Sequence, residues 1–119
     1  MPKSENMKQR FEVKILGEVF EFFDKIEEKA VEKILFNARK SRFVIDKELF
    51  RKLENEIWEF RTLYNKKKYR VLAFWDKSSK VETFIIGTSG FIKKTKKTPK
   101  KEIRKAERIM KLYFEQKNK

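Results

Sequence analysis

The sequence has 119 residues, the size of one domain, and sets 32 Lys and Arg against 18 Asp and Glu for a formal charge of +14, with 14% aromatic residues. Charge of that sign and density points to a polyanionic partner, nucleic acid first, because each phosphate neutralised by Lys or Arg releases counterions; the plainer readings are a solubility feature or a ribosome-associated structural protein. His and Cys are both absent, which excludes Ser–His–Asp and Cys–His nucleophiles, Cys/His zinc sites and a disulfide framework. No metal or cofactor is therefore expected. No apolar run approaches the roughly 20 residues that span a bilayer, so a soluble, cytoplasmic protein with no membrane contact is expected.

Along the chain, Met1 to Gln9 is polar and expected to be flexible. Phe11, Val13 and Ile15 then alternate with Glu12 and Lys14, the two-residue period of a half-buried strand. Gly17 interrupts it. Phe22, Ile26, Ala30 and Ile34, with Phe23, Val31 and Leu35, recur at helical spacing, which predicts one amphipathic helix over about 19–39. Its outer face mixes acids and bases and offers phosphate little net attraction. Asp46 is placed to cap a short second helix carrying Leu49, Phe50 and Leu53, packed antiparallel to the first.

From Ile57 the period changes to two, and β-branched and aromatic residues dominate through Trp58–Tyr64, Tyr69–Trp75 and Phe84–Ile86. These read as a three-stranded antiparallel meander with short polar turns at 65–68 and 77–80. Gly87 and Gly90 mark a bend or bulge. Thr98 as N-cap and Pro99 in the first turn start a last helix, whose stripe of Ile103, Ala106, Met110, Tyr113 and Phe114 runs to about Glu115. The order is β-α-α-β-β-β-α. It implies a single α+β domain over 1–119, with two N-terminal helices and a C-terminal helix packed on a twisted, mainly antiparallel four-stranded sheet.

The excess charge is uneven. Residues 93–119 carry twelve Lys or Arg and three Glu, against twenty and fifteen in residues 1–92. Its densest part, Phe91-Ile92-Lys93-Lys94-Thr95-Lys96-Lys97, follows a strand end and precedes a helix, which makes it a candidate phosphate site. A solvated charge cluster is the plainer reading. Arg61 and Arg70 flank the 65–68 turn. A two-residue loop pairs them directly, a four-residue loop keeps them on one face, and a three-residue loop separates them. Outward arginines on a solvated face, or partners for Glu59 and Asp76, are the alternative reading. Among the aromatics, Tyr64, Tyr69, Trp75 and Phe91 are candidates for stacking on bases, with Phe91 favoured because it lies at a strand end beside the lysines.

Three blocks in order, Ile57-Trp58-Glu59-Phe60-Arg61, Tyr69-Arg70-Val71-Leu72 and Gly90-Phe91-Ile92-Lys93-Lys94-Thr95-Lys96-Lys97-Thr98-Pro99, resemble phage-derived, HigB-like toxins of the RelE/ParE superfamily. The likeness runs from about Phe11 to Tyr113. It implies a RelE-like fold and an endoribonuclease that cuts mRNA, usually on the translating ribosome, without a cofactor. It also implies a cognate antitoxin, of the helix-turn-helix, HigA-like kind for this branch. The family's functional positions correspond here to Arg61, Arg70, Phe91, Lys93 and Lys94. Some relatives use His or a C-terminal Tyr as acid or base; this sequence has no His, and Tyr113 lies inside the last helix.

Cleavage by attack of a 2′-hydroxyl on its own phosphate needs a base, an acid and cations for the developing charge. Arg61 and Arg70 suit the third task. Lys93 or Lys94, crowded by other cations, suit proton exchange, with Glu59 the weaker candidate for the base. Tyr64, Tyr69, Phe91, Lys68, Lys96 and Lys97 complete the expected RNA-contacting set. Two rival readings share the fold: a ParE-type toxin that inhibits DNA gyrase by protein binding, and a non-enzymatic basic RNA-binding module.

Overall fold

The computed structural model describes residues 9–119; most of the polar segment expected to be flexible lies outside the described residues. Strand β1 (Glu12–Ile15) leads into helix α1 (Gly17–Phe23) and helix α2 (Glu28–Ser41). Strands β2 (Phe50–Lys52), β3 (Trp58–Tyr64), β4 (Lys67–Asp76) and β5 (Phe84–Lys93) follow, and helix α3 (Lys100–Lys117) closes the order. The sheet runs β1-β5-β4-β3-β2. It is mixed and five-stranded, because β1 pairs in parallel with β5 while the other pairings are antiparallel.

Two expectations about the N-terminal half are corrected. The single helix over 19–39 is two helices, because α1 packs over β5 and α2 over β3, and one straight rod cannot follow both strands. The short helix expected after Asp46 is one turn followed by a strand. Asp46 does accept the Glu48 N–H at 2.8 Å, and its carbonyl accepts the Leu49 and Phe50 N–H groups, but the chain then extends as β2. What overrides the helical pattern is Phe50, buried with its ring 4.9 Å from Trp58 and 4.4 Å from Phe60. The sheet thereby gains a fifth strand.

The meander forms as the alternation predicts. A two-residue turn at Asn65-Lys66, with φ of 50° and 64°, joins β3 to β4 and sets Tyr64 opposite Lys67 and Arg61 opposite Arg70. Between β4 and β5 the register slips after Leu72, which faces Ser89 while Ala73 faces Gly87. The extra residue, Thr88, is buried and donates its hydroxyl to the Leu72 carbonyl at 3.0 Å. At α3, Pro99 occupies the N-cap position and Thr98 turns inward to another task.

Each sheet face has its own core. Tyr69, Val71, Ala73, Ile85, Phe60 and Phe50 face α1 and α2, where Val19, Ala30, Ile34 and Ala38 fill the space. On the opposite face Leu72, Phe74 and Ile86 pack under Ile103, Ala106, Met110, Tyr113 and Phe114 of α3. That helix lies over β4 and β5. The rest of its sheet face carries charge.

Candidate functional site

Strand pleating sends alternate residues to opposite faces, so Arg51 of β2, Glu59 and Arg61 of β3, and Lys68 and Arg70 of β4 share the α3 side with Lys93 of β5. The register brings them together: Arg51 faces Glu59, Arg61 faces Arg70, Arg70 faces Phe91 and Lys68 faces Lys93. Glu59 lies at the centre and is wholly buried. Its Oε1 has Arg51 Nε at 3.1 Å, Arg61 Nε at 3.5 Å and Arg70 Nε at 3.7 Å, while its Oε2 accepts the Thr98 hydroxyl at 2.8 Å. One carboxylate therefore orients three guanidinium groups.

It does not saturate them. The Arg51 Nε–H donates a hydrogen bond to Glu59, whereas Arg61 Nε and Arg70 Nε are buried without a hydrogen-bond partner. Arg61 otherwise reaches the Lys47 carbonyl at 3.3 Å, and Arg70 the Tyr69 carbonyl at 3.0 Å. Unpaired buried donors are costly. Burial holds Arg70 below the usual arginine pKa range, with the charges of Arg61 and Arg51 adding to the depression and Glu59 opposing it. A guanidinium so depressed stays protonated at neutral pH.

Lys93 is also buried, at the strand end beside Arg70. Desolvation pushes its pKa down, the neighbouring Arg70 pushes it further, and Glu59 partly offsets both. Lys94, Lys96 and Lys97 are exposed on the loop that follows. Three depressions border the cluster. The first, about 480 Å³, is lined by Lys66, Lys67, Lys68, Lys93, Lys94 and Lys96. A smaller one of about 140 Å³ joins Arg61, Arg70 and Lys68 with Glu48. A third, about 540 Å³, lies beyond the loop between Arg51, Lys96, Lys97 and Lys100.

The aromatic candidates divide. Phe91 lies beside Arg70 on the charged face, half-buried against the core beneath α3. Tyr69 and Tyr64, expected among the RNA-contacting residues, belong to the other face, away from the arginines. Tyr69 is 2% exposed and packs under Phe22, and Tyr64 borders α2. The alternation already implied this, since Tyr69 is the immediate neighbour of Arg70. Trp75 belongs to the core of the α1/α2 face. Conversely, Arg51 and Thr98 belong to the cluster and escaped the sequence reading, Arg51 because its segment was expected to be helical and Thr98 because it was assigned to capping.

Among the described residues no group of three or more His, Cys, Asp or Glu side chains could hold a metal ion, and no helix is long and apolar enough to cross a membrane. Fold and site together define a small basic α+β protein in which the part of one sheet face left open beside α3 concentrates cations around a single buried acid. Residues 18–111 match the family model described as phage derived protein Gp49-like (DUF891), so the chain belongs to that family, which is one of RelE-like toxins. No curated protein matches the chain.

Proposed function

We propose that the protein is the toxin of a toxin–antitoxin pair, on the HigB-like branch, and that it is an endoribonuclease cutting mRNA on the ribosome. One observation carries this reading: Arg61 and Arg70 are directly opposed and line one depression with Lys68, beside a buried lysine of depressed pKa. A phosphate lodged in the depression that the two arginines line with Lys68 would be met by their outward N–H groups and by the lysine. In the reaction the 2′-oxygen bonds to phosphorus while the bond from phosphorus to the 5′-oxygen breaks, giving a 2′,3′-cyclic phosphate and a 5′-hydroxyl. The proton of the 2′-hydroxyl leaves to a base, and the departing 5′-oxygen takes one from an acid.

Arg70, Arg61 and Arg51 would bear the charge that builds on the non-bridging oxygens, from positions already fixed by Glu59. Lys93 is the group best matched to proton exchange, since its environment brings its pKa towards the working pH. Glu59, enclosed by arginines and Thr98, acts as a positioning residue. The attacking geometry would come from the ribosome, which orients the message. A helix-turn-helix, HigA-like antitoxin would silence the toxin.

The test is induction of Arg70→Ala beside the parent, with growth and transcript 5′ ends followed. Removing one transition-state donor costs about 100- to 1,000-fold in rate. The variant should therefore fold, permit growth and leave transcripts whole. Undiminished cleavage would remove Arg70 from the mechanism, and growth arrest with intact transcripts but inhibited supercoiling would favour the gyrase reading.

A further inference from the structure

The turn between β3 and β4 carries a conformational cost that its position in the hairpin does not explain. A two-residue turn of this kind needs positive φ at both central residues, and Asn-Gly meets that need without strain. Here Lys66, at φ 64°, stands where glycine is the unstrained choice. Its side chain lines the 480 Å³ depression, in which every charged residue is a lysine. Six ammonium groups around one hollow repel one another, a second cost. A polyanion lying in the hollow relieves the repulsion and gives the strained lysine a purpose.

We propose that this turn holds the RNA strand at a phosphodiester outside the scissile one, with Lys66 as the principal contact; the proposal deepens the RNA-cleaving reading and rests on it. Continuity of surface supports a single strand as the occupant. Lys68 lines both this hollow and the one between Arg61 and Arg70, and its register partner is Lys93. A strand whose scissile phosphate meets Arg61 and Arg70 is led past Lys68 to the turn. Backbone contacts of this kind add affinity independent of base sequence.

The measurement is binding of a labelled single-stranded 2′-O-methyl RNA, which lacks the attacking hydroxyl, across a series of salt concentrations. Each phosphate contact on single-stranded nucleic acid contributes about 0.7 to the slope of log affinity against log salt. Extrapolated from 1 M, one lost contact weakens binding about fourfold at 0.15 M salt and about eightfold at 0.05 M. Lys66→Gly and Lys66→Asn, both at ease with positive φ, should show those losses and the shallower slope while melting no lower than the parent. Lys66→Arg should keep the parent affinity.

Parent-like RNA affinity in Lys66→Gly and Lys66→Asn would overturn the proposal, and an acidic protein segment as the occupant would give that result. An equal loss in Lys66→Arg would overturn it too, since charge would then not be what the strand meets. Either outcome, with Arg70→Ala still inactive, leaves the nuclease reading standing; full cleavage by Arg70→Ala defeats that reading whatever Lys66 does.

Discussion

Replacing Glu59 with Gln separates the two roles open to that carboxylate. Gln keeps the shape and one carbonyl oxygen, which can accept from Arg51 while its NH2 donates to the Thr98 hydroxyl oxygen, but it removes the negative charge lying within 3.7 Å of three guanidinium groups. Breaking a fully buried ion pair costs about 3–5 kcal/mol, because the remaining charge is left uncompensated. The arginine side chains here are 40%, 19% and 4% exposed for Arg51, Arg61 and Arg70, so solvent screens the first two and only Arg70 bears the full penalty. Because the Gln carbonyl remains as an acceptor and recovers part of that penalty, the net cost is about 2 kcal/mol, or a melting temperature lower by about 8 °C for a chain of this size.

The assay is thermal unfolding of Glu59→Gln and the parent at low and high salt, with RNA cleavage measured in parallel. Because the damage is repulsion among cations, about 1 M salt should narrow the gap. Thr98→Val, which removes only a hydrogen bond, should cost about 1 kcal/mol irrespective of salt. If Glu59→Gln melted within about 2 °C of the parent and still lost all cleavage, Glu59 would be acting on the proton, and the positioning argument would fall.

Four further outcomes follow from local packing and charge. Alanine at Gly90 would put its Cβ into the ring of Phe22, so Gly90→Ala should cost about 1–3 kcal/mol in urea unfolding, with Phe22→Leu in the same chain restoring part of it. Burial alone would raise the pKa of Asp76, but hydrogen bonds from Ser78, Tyr113 and Lys117 outweigh it and hold the carboxyl well below its usual range. Its stabilisation is therefore present above about pH 4 and lost as pH falls towards the folded value. The acid-induced loss of urea resistance should be smaller in Asp76→Asn, which starts less stable at neutral pH. Burial, followed by the bond to Asp76, raises the Tyr113 hydroxyl to about 12, so its stabilisation is complete below about pH 10, declines as pH rises through 12, and is absent from Tyr113→Phe. Lys93 has the opposite sign for a base: its pKa is depressed, so the charged form costs stability, and that cost fades as pH climbs towards the ordinary lysine value near 10.4. Urea titrations should show an alkaline gain in the parent that Lys93→Met lacks.

The parts of this site that sequence exposes are those governed by short-range rules. Once the turn holds two residues, the pairing of Arg61 with Arg70 follows from parity, and the lysine run after Ile92 is visible as composition. The same parity separates Tyr69 from Arg70; there base-stacking aromatics were sought by residue type, and the faces disagree with the type. The missing strand is a different case. Phe50–Lys52 spans three residues, too few to display a two-residue period, and its capping Asp46 does begin a helical turn. Only the stacking of Phe50 between Trp58 and Phe60 makes it a strand, and those rings are distant in sequence. With β2 comes Arg51, the third guanidinium. Likewise nothing in the composition of Asp24 to Glu27 breaks a helix; the break accompanies the packing of α1 over β5 and of α2 over β3, two strands apart in the sheet.

Helix α3 explains why the cations gather where they do. At its start Thr98 is bonded to Glu59, and at its end Tyr113 donates to Asp76 at 2.6 Å with Lys117 at 3.2 Å from the same oxygen. Between those two anchors the helix covers Leu72, Phe74 and Ile86, the apolar half of its sheet face. Shifted one turn towards the cluster, it would cover the partly exposed Arg61 and close the already buried Arg70 off under an apolar stripe with no acceptor to meet them, at a cost of several kcal/mol. The anchors fix the boundary between the part of the face that the helix covers and the part that carries the cations. The residue that starts the helix is bonded to the carboxylate that orients the arginines, so the helix start and the geometry of the cluster are set by the same hydrogen bond.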